Sequence, residues 1–458
     1  MKLKNPYNGN RVQLTLFMSY FLLMSGTSYL SSKGRSMDIG MNVATLIWIG
    51  SPFLLAVLLL KIISCSQEVQ ANALQIFLAV LIVSFLMEGY LTLCTDPNIV
   101  ERQVIAKRKG VAFDTRSKSD VVMDLRKNGI EVYPAVYPSL HNNIPINGKN
   151  IIPIGGISRV RTIFCNENGE YTDYESDEYG FHNPKGLYNF SKLDVGIVGD
   201  SYVQGACVKS SESIPALIRA QFPKTLATAM SVNGPLRNLA SLKEYLGDQK
   251  PRVVLWFFSN SNDFSDLKSE RANPVLMKYL TSKGDFKQNL KDKQEEIDEY
   301  YKVFINKQLA SIYGSGGVAR SVVNRLFLFN VRELVESKIA NALEKPGLKS
   351  NEGEHQLFLE VLTEAKRYVS EWNGKLIVVF VPSQNQYLSN QGDRHISNEE
   401  FIKLVQSTEV PVIDLYALVK SQPNPEELFA LGIINSHFNA KGYRIVTDYI
   451  NRVIKEII

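Results

Sequence analysis

The sequence Val195-Gly-Ile-Val-Gly-Asp-Ser-Tyr-Val-Gln-Gly205 joins a short apolar run to a turn that carries a serine. The run from Val195 to Val198 predicts a buried strand, because it is short and is followed by glycine. Gly199-Asp200-Ser201 predicts the turn from that strand into a helix. A serine at such a turn presents its hydroxyl above the sheet, and backbone N–H groups lie close to whatever the hydroxyl attacks. Gly-Asp-Ser is also common in ordinary turns, so its meaning depends on the residues that follow.

Strand and helix patterns alternate through the rest of the C-terminal half. Apolar runs typical of buried strands occur at 194–198, 226–232, 252–258, 376–381 and 410–415. Helical patterns lie between them, for example an apolar face formed by Leu357, Val361, Ala365 and Val369. This alternation predicts an α/β fold with a parallel sheet that is covered by helices on both sides.

Three apolar stretches lie within the first hundred residues, at about 12–30, 43–64 and 73–94. Each is long enough to cross a hydrocarbon core of roughly 30 Å as a helix. We therefore predict three transmembrane helices within a region that spans residues 1–95. The alternatives are buried helices of a soluble domain and, for the first stretch, a cleaved signal, although no small-x-small cleavage site follows it. Glu88, near the end of the third stretch, is predicted to reach the membrane interface.

Two further segments complete the predicted domain organisation. Residues 96–190 are predicted to be a connector followed by short strands and turns that pack on the next domain, because glycine, proline and β-branched residues are frequent there. Residues 191–458 form the α/β domain, interrupted by a charged helical insertion at 264–350. The insertion is predicted to be a lid, a partner surface or, most simply, a solvated helical face.

Charge does not settle the orientation of this chain in a membrane. Positive flanks in the first two stretches place the N-terminus inside the cell and everything after Cys94 outside the cytoplasm, but a basic cluster directly after the third stretch argues for the reverse. The residues of that cluster are Arg102, Lys107, Arg108 and Lys109. The formal net charge of +5 comes without a basic stripe that carries interleaved aromatic residues. This excludes nucleic acid as an expected partner.

The four cysteines have no spacing typical of a metal site, and the histidines add none, so neither a metal nor another cofactor is predicted. Cys65 and Cys94 belong to the predicted membrane region. Cys165 and Cys207 belong to the later part of the chain, where they form a disulfide if that part is exported. Two unrelated buried thiols are an equally good interpretation.

Four polar segments are expected to meet at one edge of the sheet. They contain Ser201, Gly234, Asn262 and His437, and each follows a predicted strand or opens a predicted helix. Loops at the carboxyl ends of parallel strands share one edge, even when they are distant in sequence. That edge would hold a hydroxyl that attacks, an imidazole that takes its proton, and the N–H groups of Ser201, Gly234 and the Asn262 amide for an oxyanion. An ester hydrolase needs this set of groups.

These residues resemble the four blocks of the SGNH or GDSL hydrolases, which are marked by Ser, Gly, Asn and His. Further segments resemble a bacterial membrane-anchored subgroup of that family over roughly residues 105–450. They are Phe113–Lys118, Cys165–Tyr171, Tyr174–Phe181, Asn233–Leu236 and Leu255–Phe258 running into Asn262-Asp263. The resemblance implies a three-layer α/β/α fold, hydrolysis of carboxylic esters on glycans or lipids, and a catalytic domain outside the cytoplasm.

The sequence departs from that family in three places. Many relatives carry an acidic residue two or three positions before the histidine, where this chain has Asn435 and Ile434. Asn435 is therefore predicted to orient His437, with a backbone carbonyl or the carboxylate of Asp414 as alternatives. Ser261 replaces a usual glycine, and Val232 stands where many relatives place the glycine of the second block.

Asp200 and Asp263 are expected to support the site as hydrogen-bond partners rather than to act as acids. The remaining histidines, His141, His182, His355 and His395, are interpreted as surface or structural residues.

The sequence leaves three functions open. The first is a membrane-anchored serine esterase of the bacterial inner membrane that acts on an acylated envelope glycan or a lipid ester. The second is an O-acyltransferase that modifies a cell-surface polysaccharide with an acyl donor from a partner membrane protein. The third is an inactive scaffold with the same fold, which Asn435 and Ser261 favour.

Overall fold

Five parallel strands form the central sheet of the C-terminal half in the computed structural model. They follow the order β10-β9-β8-β6-β7, and every neighbouring pair is parallel. The strands are β6 (Val195–Val198), β7 (Thr225–Ala227), β8 (Val253–Ser259), β9 (Lys375–Val381) and β10 (Val412–Asp414). Val195 lies opposite both Thr225 and Val253, which places β6 between β7 and β8. All five predicted strands are therefore present, and the predicted α/β class with a parallel sheet is confirmed.

The structure describes residues 7–33, 43–93, 97–146, 148–282, 286–314, 352–382, 396–432 and 436–458, together with positions 326, 328, 331 and 334. Statements below refer to these residues. The predictions for Asn435, Ile434, Cys94 and His395 lie outside them.

Two hydrophobic clusters cover the two faces of the sheet. Alternate residues of β8 point to opposite sides, so Trp256 packs into one cluster and Phe257 into the other. The first cluster receives side chains from helices α8 (Pro235–Ser241), α12 (Glu352–Ser370) and α13 (Asn398–Gln406). The second receives side chains from α7 (Ile214–Arg219), α14 (Leu415–Lys420) and α15 (Ala440–Ile457). The result is the three-layer α/β/α arrangement.

Short strands precede this sheet in the chain. A three-stranded sheet has the order β1-β4-β5, and a separate hairpin is formed by β2 and β3. Their bounds are β1 (Val132–Pro134), β2 (Ile144–Ile146), β3 (Lys149–Ile151), β4 (Arg161–Ile163) and β5 (Asp173–Glu175). Helix α5 (Lys118–Lys127) leads into them and begins with a capping box between Ser117 and Asp120. This part of the chain supplies one loop to the site described below.

The chain divides into two compact units. One contains Met1–Pro97 and Ala310–Pro346, and the other contains Asn98–Leu309 and Gly347–Ile458. The predicted insertion at 264–350 is thus shared between them. Its first part forms α9 (Asp263–Glu270), α10 (Pro274–Thr281) and α11 (Gln294–Tyr313), and further on Leu328 packs with Leu14 and Phe21 of the first unit.

The first unit contains α1 (Tyr7–Lys33), α2 (Val43–Ile63) and α3 (Gln67–Leu93), and α4 (Pro97–Arg108) follows. All three predicted membrane stretches are helical. Within the described residues, however, only Gln67–Leu91 is long and apolar enough to span a membrane. The prediction of three spanning helices is corrected to one supported span. The physical reason is clearest in α1, where polar residues such as Gln13, Ser19 and Ser25 lie within the predicted apolar stretch.

Glu88 of α3 has a protein partner. Its side chain is buried, and one carboxylate oxygen accepts a hydrogen bond from the backbone N–H of Val331 at 2.9 Å. The carboxylate is therefore held by the backbone of the first unit, and its position at a membrane interface stays a prediction.

Candidate active site

Ser201 is the first residue of the short helix α6 (Ser201–Gln204), directly after β6. The side chain of Asp200 caps this helix by accepting the backbone N–H of Tyr202 at 3.0 Å. Gly199 makes the turn tight, because a Cβ there would lie 2.8 Å from the side chain of Val203. The turn places Ser201 Oγ at the edge of the sheet, 2.8 Å from Nε2 of His437. The structure therefore brings together the two groups on which the predicted chemistry depends.

His437 lies on the segment that enters the last helix, α15. Asn439 caps that helix by accepting the backbone N–H of Gly442 at 3.0 Å, and the His437 carbonyl accepts the N–H of Ala430 at 2.9 Å. The next residue, Phe438, is buried and stacks on Phe429. The backbone on both sides of His437 is therefore held, which leaves its ring with few orientations.

A carboxylate that the sequence analysis did not select faces the other side of the imidazole. Nδ1 of His437 lies 3.1 Å and 3.2 Å from the two carboxylate oxygens of Glu167, and the backbone N–H of His437 donates to the same group at 2.8 Å. A carboxylate only accepts hydrogen bonds, so Nδ1 carries the proton and Nε2 is left to accept one from Ser201. Glu167 occupies the position for which Asn435 was the candidate.

Glu167 comes from the loop between β4 and β5, outside the strand–helix alternation of the main sheet. The segment Cys165–Tyr171 was part of the resemblance to the membrane-anchored subgroup, and this was the one signal that could have directed attention to it. The other carboxylate considered, Asp414, caps α14 through the N–H of Tyr416 and accepts a hydrogen bond from Asn398. Asp414 therefore serves as the N-cap of α14.

The charges around this pair shift its pKa values in opposite directions. Burial alone would raise the pKa of Glu167, but His437 and Arg102 outweigh it and lower the pKa from 4.5 to about 2. Arg102 lies 3.3 Å from the Glu167 carboxylate. Burial would lower the pKa of His437, but Glu167 and then Asp200 outweigh it and raise the pKa above 6.5. The imidazole is thereby made a better proton acceptor.

Gly234 is not placed as the sequence predicted. Its backbone N–H donates to the buried carboxylate of Glu270 at 2.8 Å, as does that of Leu236. A Cβ at Gly234 would lie 2.7 Å from Asp266, so this glycine is required for close packing. Since its N–H is already bound, Gly234 is not available as an oxyanion donor.

Val232 lines the cavity in front of Ser201 instead. Its φ of +65° is in the left-handed region, which is unusual for a β-branched residue. In the described part of the chain no acceptor takes its backbone N–H. We call the loop after β7, which contains Val232, the second-block loop. Val232 stands where many members of the resembled family have glycine, and it adopts the backbone conformation that glycine favours.

Asn262 lies across the same cavity and is held from two sides. Its amide nitrogen donates to Asp266 at 2.7 Å, and its amide oxygen accepts from Ser261 at 2.8 Å. The Asn262 amide also hydrogen-bonds to the Asp200 carboxylate, so both of its hydrogens have carboxylate partners. Ser261, which replaces a usual glycine, therefore supports Asn262.

Asp200 and Asp263 are both buried beneath the site. Asp263 accepts the backbone N–H of Ser259 at 3.0 Å and so closes the turn after β8. Burial raises the pKa of Asp200, and burial together with the nearby Asp200 raises the pKa of Asp263. Their contacts are structural.

The cavity has a volume of about 540 Å³. It is lined by Ser201, His437, Glu167, Val232 and Asn262, among others. Aromatic walls are provided by Tyr137, Phe164 and Tyr202. A hydroxyl, an imidazole, a carboxylate and two N–H donors therefore line one cavity. These are the groups that acyl transfer through a serine requires.

Cys165 and Cys207 are joined by a disulfide, with their Cα atoms 5.1 Å apart. Glu167, Cys207 and His437 also form a group of ligand-type atoms within 4.8 Å of one another. Because the Cys207 sulfur is bonded to Cys165 and the other two groups pair with each other, these atoms do not fit a metal site.

No family model matches this chain, and no curated protein matches it. Several solved structures are similar to it. A lipase/acylhydrolase from Enterococcus faecalis is 14% identical, with 58% of this chain and 96% of that chain covered and a TM-score of 0.31. A lipolytic protein of the G-D-S-L family from Desulfitobacterium hafniense DCB-2 is 12% identical, with 57% and 98% covered and a TM-score of 0.30. A two-domain esterase active on acetylated mannans is 11% identical, with 59% and 51% covered and a TM-score of 0.31.

Proposed function

We propose that this protein is a serine ester hydrolase that works through an acyl-enzyme. The observation that carries the proposal is the chain of contacts from Ser201 Oγ to His437 Nε2 at 2.8 Å and from His437 Nδ1 to Glu167 at 3.1 Å. This arrangement has the geometry of a Ser-His-acid triad, in which the carboxylate holds the imidazole tautomer and stabilises the imidazolium that forms.

In the first half of the reaction, Ser201 Oγ attacks the ester carbonyl while His437 takes its proton. The tetrahedral intermediate collapses when His437 returns that proton to the leaving alcohol, and an ester between Ser201 and the acyl group remains. Water then attacks this ester with His437 again as the base. The second collapse releases the carboxylic acid and restores the Ser201 hydroxyl.

The oxyanion is stabilised by the backbone N–H groups of Ser201 and Val232, and Asn262 lines the same cavity beside them. Donors of this kind stabilise the charge that develops in the transition state, and each is worth roughly 3 kcal/mol. Val232 replaces Gly234 in this role, because Glu270 holds the Gly234 N–H.

The enzyme is proposed to be a bacterial inner-membrane protein with its catalytic unit outside the cytoplasm. The helix Gln67–Leu91 supports the anchoring, since it is 25 residues long and only 6% of its most apolar window is buried. The Cys165–Cys207 disulfide supports the location, because disulfides persist in oxidising compartments. An anchored site of this kind suits an acylated envelope glycan or a lipid ester as substrate.

An O-acyltransferase uses the same residues but passes the acyl group from Ser201 to a polysaccharide hydroxyl. A partner membrane protein would supply the donor. The two functions are separated by mass spectrometry of purified glycan incubated with the enzyme and an acyl donor, because hydrolysis removes acyl groups and transfer adds them. The inactive scaffold loses its main support, since Glu167 supplies the carboxylate that the sequence near His437 lacks.

A fluorophosphonate probe tests the nucleophile. We expect the full-length protein in detergent to be labelled, Ser201→Ala to be unlabelled, and the control Ser269→Ala, an exposed serine outside the cavity, to be labelled like the wild type. Absence of labelling in the wild type, or equal labelling of Ser201→Ala, would overturn the proposal.

The location is tested with fusions to a reporter that is active only outside the cytoplasm. Alkaline phosphatase fused after Ile458 should be active. The same enzyme fused after Cys65 reports on the location of the loop between α2 and α3. An inactive C-terminal fusion places the catalytic unit in the cytoplasm and contradicts the proposed location.

A further inference from the structure

The disulfide links the two loops that supply the acid and the nucleophile. Cys165 is two residues before Glu167, and Cys207 follows helix α6, which begins at Ser201. Asn168 adds a hydrogen bond across the same junction by donating to the Cys207 carbonyl at 2.9 Å. The loop that carries Glu167 is therefore tied covalently to the segment that follows the serine.

The disulfide also borders the catalytic pair itself. The Cys207 sulfur lies within 4.8 Å of a Glu167 carboxylate oxygen and of a His437 ring nitrogen. Both cysteines line the cavity in front of Ser201, and Cys165 is only half-buried. A small thiol that enters the cavity from solvent can therefore reach this bond.

The other contacts of the Glu167 loop are non-covalent. Glu167 itself accepts hydrogen bonds from His437, and the neighbouring residues bind the early part of the chain. Arg102 donates to the Asn166 carbonyl at 3.1 Å, and Asn166 donates to the Asp114 carbonyl at 2.9 Å. Asp114 in turn donates its backbone N–H to Gly169 at 2.7 Å. These bonds hold the loop to α4 and its neighbours but do not join it to the serine side of the site.

We propose that the Cys165–Cys207 disulfide is a positioning element for Glu167, so that its reduction by a thiol lowers activity by separating Glu167 from His437. This inference rests on the proposed ester hydrolase. The step consumes one dithiol: a thiolate of the reagent attacks one cysteine sulfur, the other cysteine leaves as a thiolate and takes up a proton, and the second thiol of the reagent closes its own disulfide. Two cysteine thiols and one oxidised reagent result.

The test compares two proteins in two redox states, with the full-length protein in detergent. Ester turnover is measured for the wild type and for Glu167→Gln, each before and after treatment with dithiothreitol. Reduction should slow the wild type about tenfold or more, since general base catalysis contributes about 10²–10⁴. It should leave Glu167→Gln within twofold, because the group that the disulfide positions is already removed. Equal losses in both proteins, or no loss in the wild type, would overturn the inference.

The charge on His437 gives a second readout that does not depend on activity. Glu167 and Asp200 raise its pKa and Arg102 lowers it, so withdrawal of Glu167 should lower the pKa. NMR titration of the His437 ring should show this downward shift on reduction. An unchanged His437 titration overturns the inference, even if the protein hydrolyses esters. A shifted titration in a protein without ester turnover supports the positioning role while the proposed function fails.

Variants separate the disulfide from other effects of the reagent. Cys165→Ser combined with Cys207→Ser should reproduce the reduced wild type and be insensitive to dithiothreitol. Cys65→Ser, which removes an exposed free cysteine, should behave as the wild type does in both states. If circular dichroism shows that reduction or the double substitution unfolds the protein, the disulfide acts on stability alone and the inference is overturned.

Discussion

Glu167 and His437 are 270 residues apart in the chain, yet the Glu167 carboxylate meets both Nδ1 and the backbone N–H of His437. The carboxylate thus fixes the position of the residue as well as the tautomer of its ring. In the family that this sequence resembles, the acid is expected a few positions before the histidine. Here the carboxylate comes from a loop between two short strands, far from His437 in the sequence.

Glu167→Gln should lower turnover by about 10²–10⁴, because the amide can hold the wrong tautomer and does not stabilise the imidazolium. Since Glu167 raises the pKa of His437, the substitution should also move the acid limb of the pH–rate profile to lower pH. The measurement is kcat/KM for an activated ester across pH. Glu170→Gln, an exposed carboxylate in the same loop, is the matched control and should leave the limb in place.

Arg102→Gln should shift the same limb in the opposite direction. Arg102 lowers the pKa of both Glu167 and His437, so His437 becomes easier to protonate when the charge is removed, and neutral base is lost at a higher pH. Well above the limb, turnover should fall by less than about tenfold, because the Glu167 carboxylate still bonds the ring and backbone of His437 when Arg102 is replaced. Lys107→Gln, an exposed charge on the same helix, is the control. A downward shift would contradict the assigned ion pair.

Val232→Gly should stabilise the protein by about 1 kcal/mol. A left-handed backbone costs a β-branched residue about 1–3 kcal/mol, and glycine removes this strain. The greater freedom of glycine in the unfolded chain offsets about 0.5–1 kcal/mol of the stabilisation. Urea unfolding of the full-length protein in detergent measures the difference. Val111→Gly, at an exposed position with φ outside the left-handed region, is the control and should show no gain. A loss of stability in Val232→Gly would mean that the second-block loop does not hold this conformation.

Glu270→Gln should remove a pH dependence from folding. Burial raises the Glu270 pKa from 4.5 to about 7, although Arg237 acts in the opposite direction. The unfolded state therefore ionises first, and the stability that this carboxyl contributes is complete below pH 4.5 and is lost as the pH rises through 7. The wild type should lose up to about 3 kcal/mol relative to Glu270→Gln over that interval.

The check for this last prediction is the difference in free energy of unfolding between the two proteins, measured at several pH values. Lys268→Gln, on the exposed side of the same helix, should give a difference that does not change with pH. A difference that grows in favour of the wild type with rising pH would show that Glu270 ionises below its ordinary pKa in the folded state.

The sequence analysis was most successful where the information is local. The five strands could be recognised because each is a short apolar run flanked by turn residues, and β6 with its serine turn could be placed from eleven consecutive residues. All three apolar stretches near the N-terminus are helices, and among the described residues the third has the length and hydropathy of a membrane span.

The sequence by itself determined the parallel sheet, the serine turn and the segment with His437, since strand periodicity and turn chemistry depend on neighbouring residues. The tertiary structure decided which carboxylate reaches the histidine and which N–H remains for a ligand. Nothing near His437 points to Glu167, and nothing near Gly234 shows that Glu270 binds its N–H. Such pairings depend on where distant loops meet when the two hydrophobic faces of the sheet are covered, and local sequence carries no record of that packing.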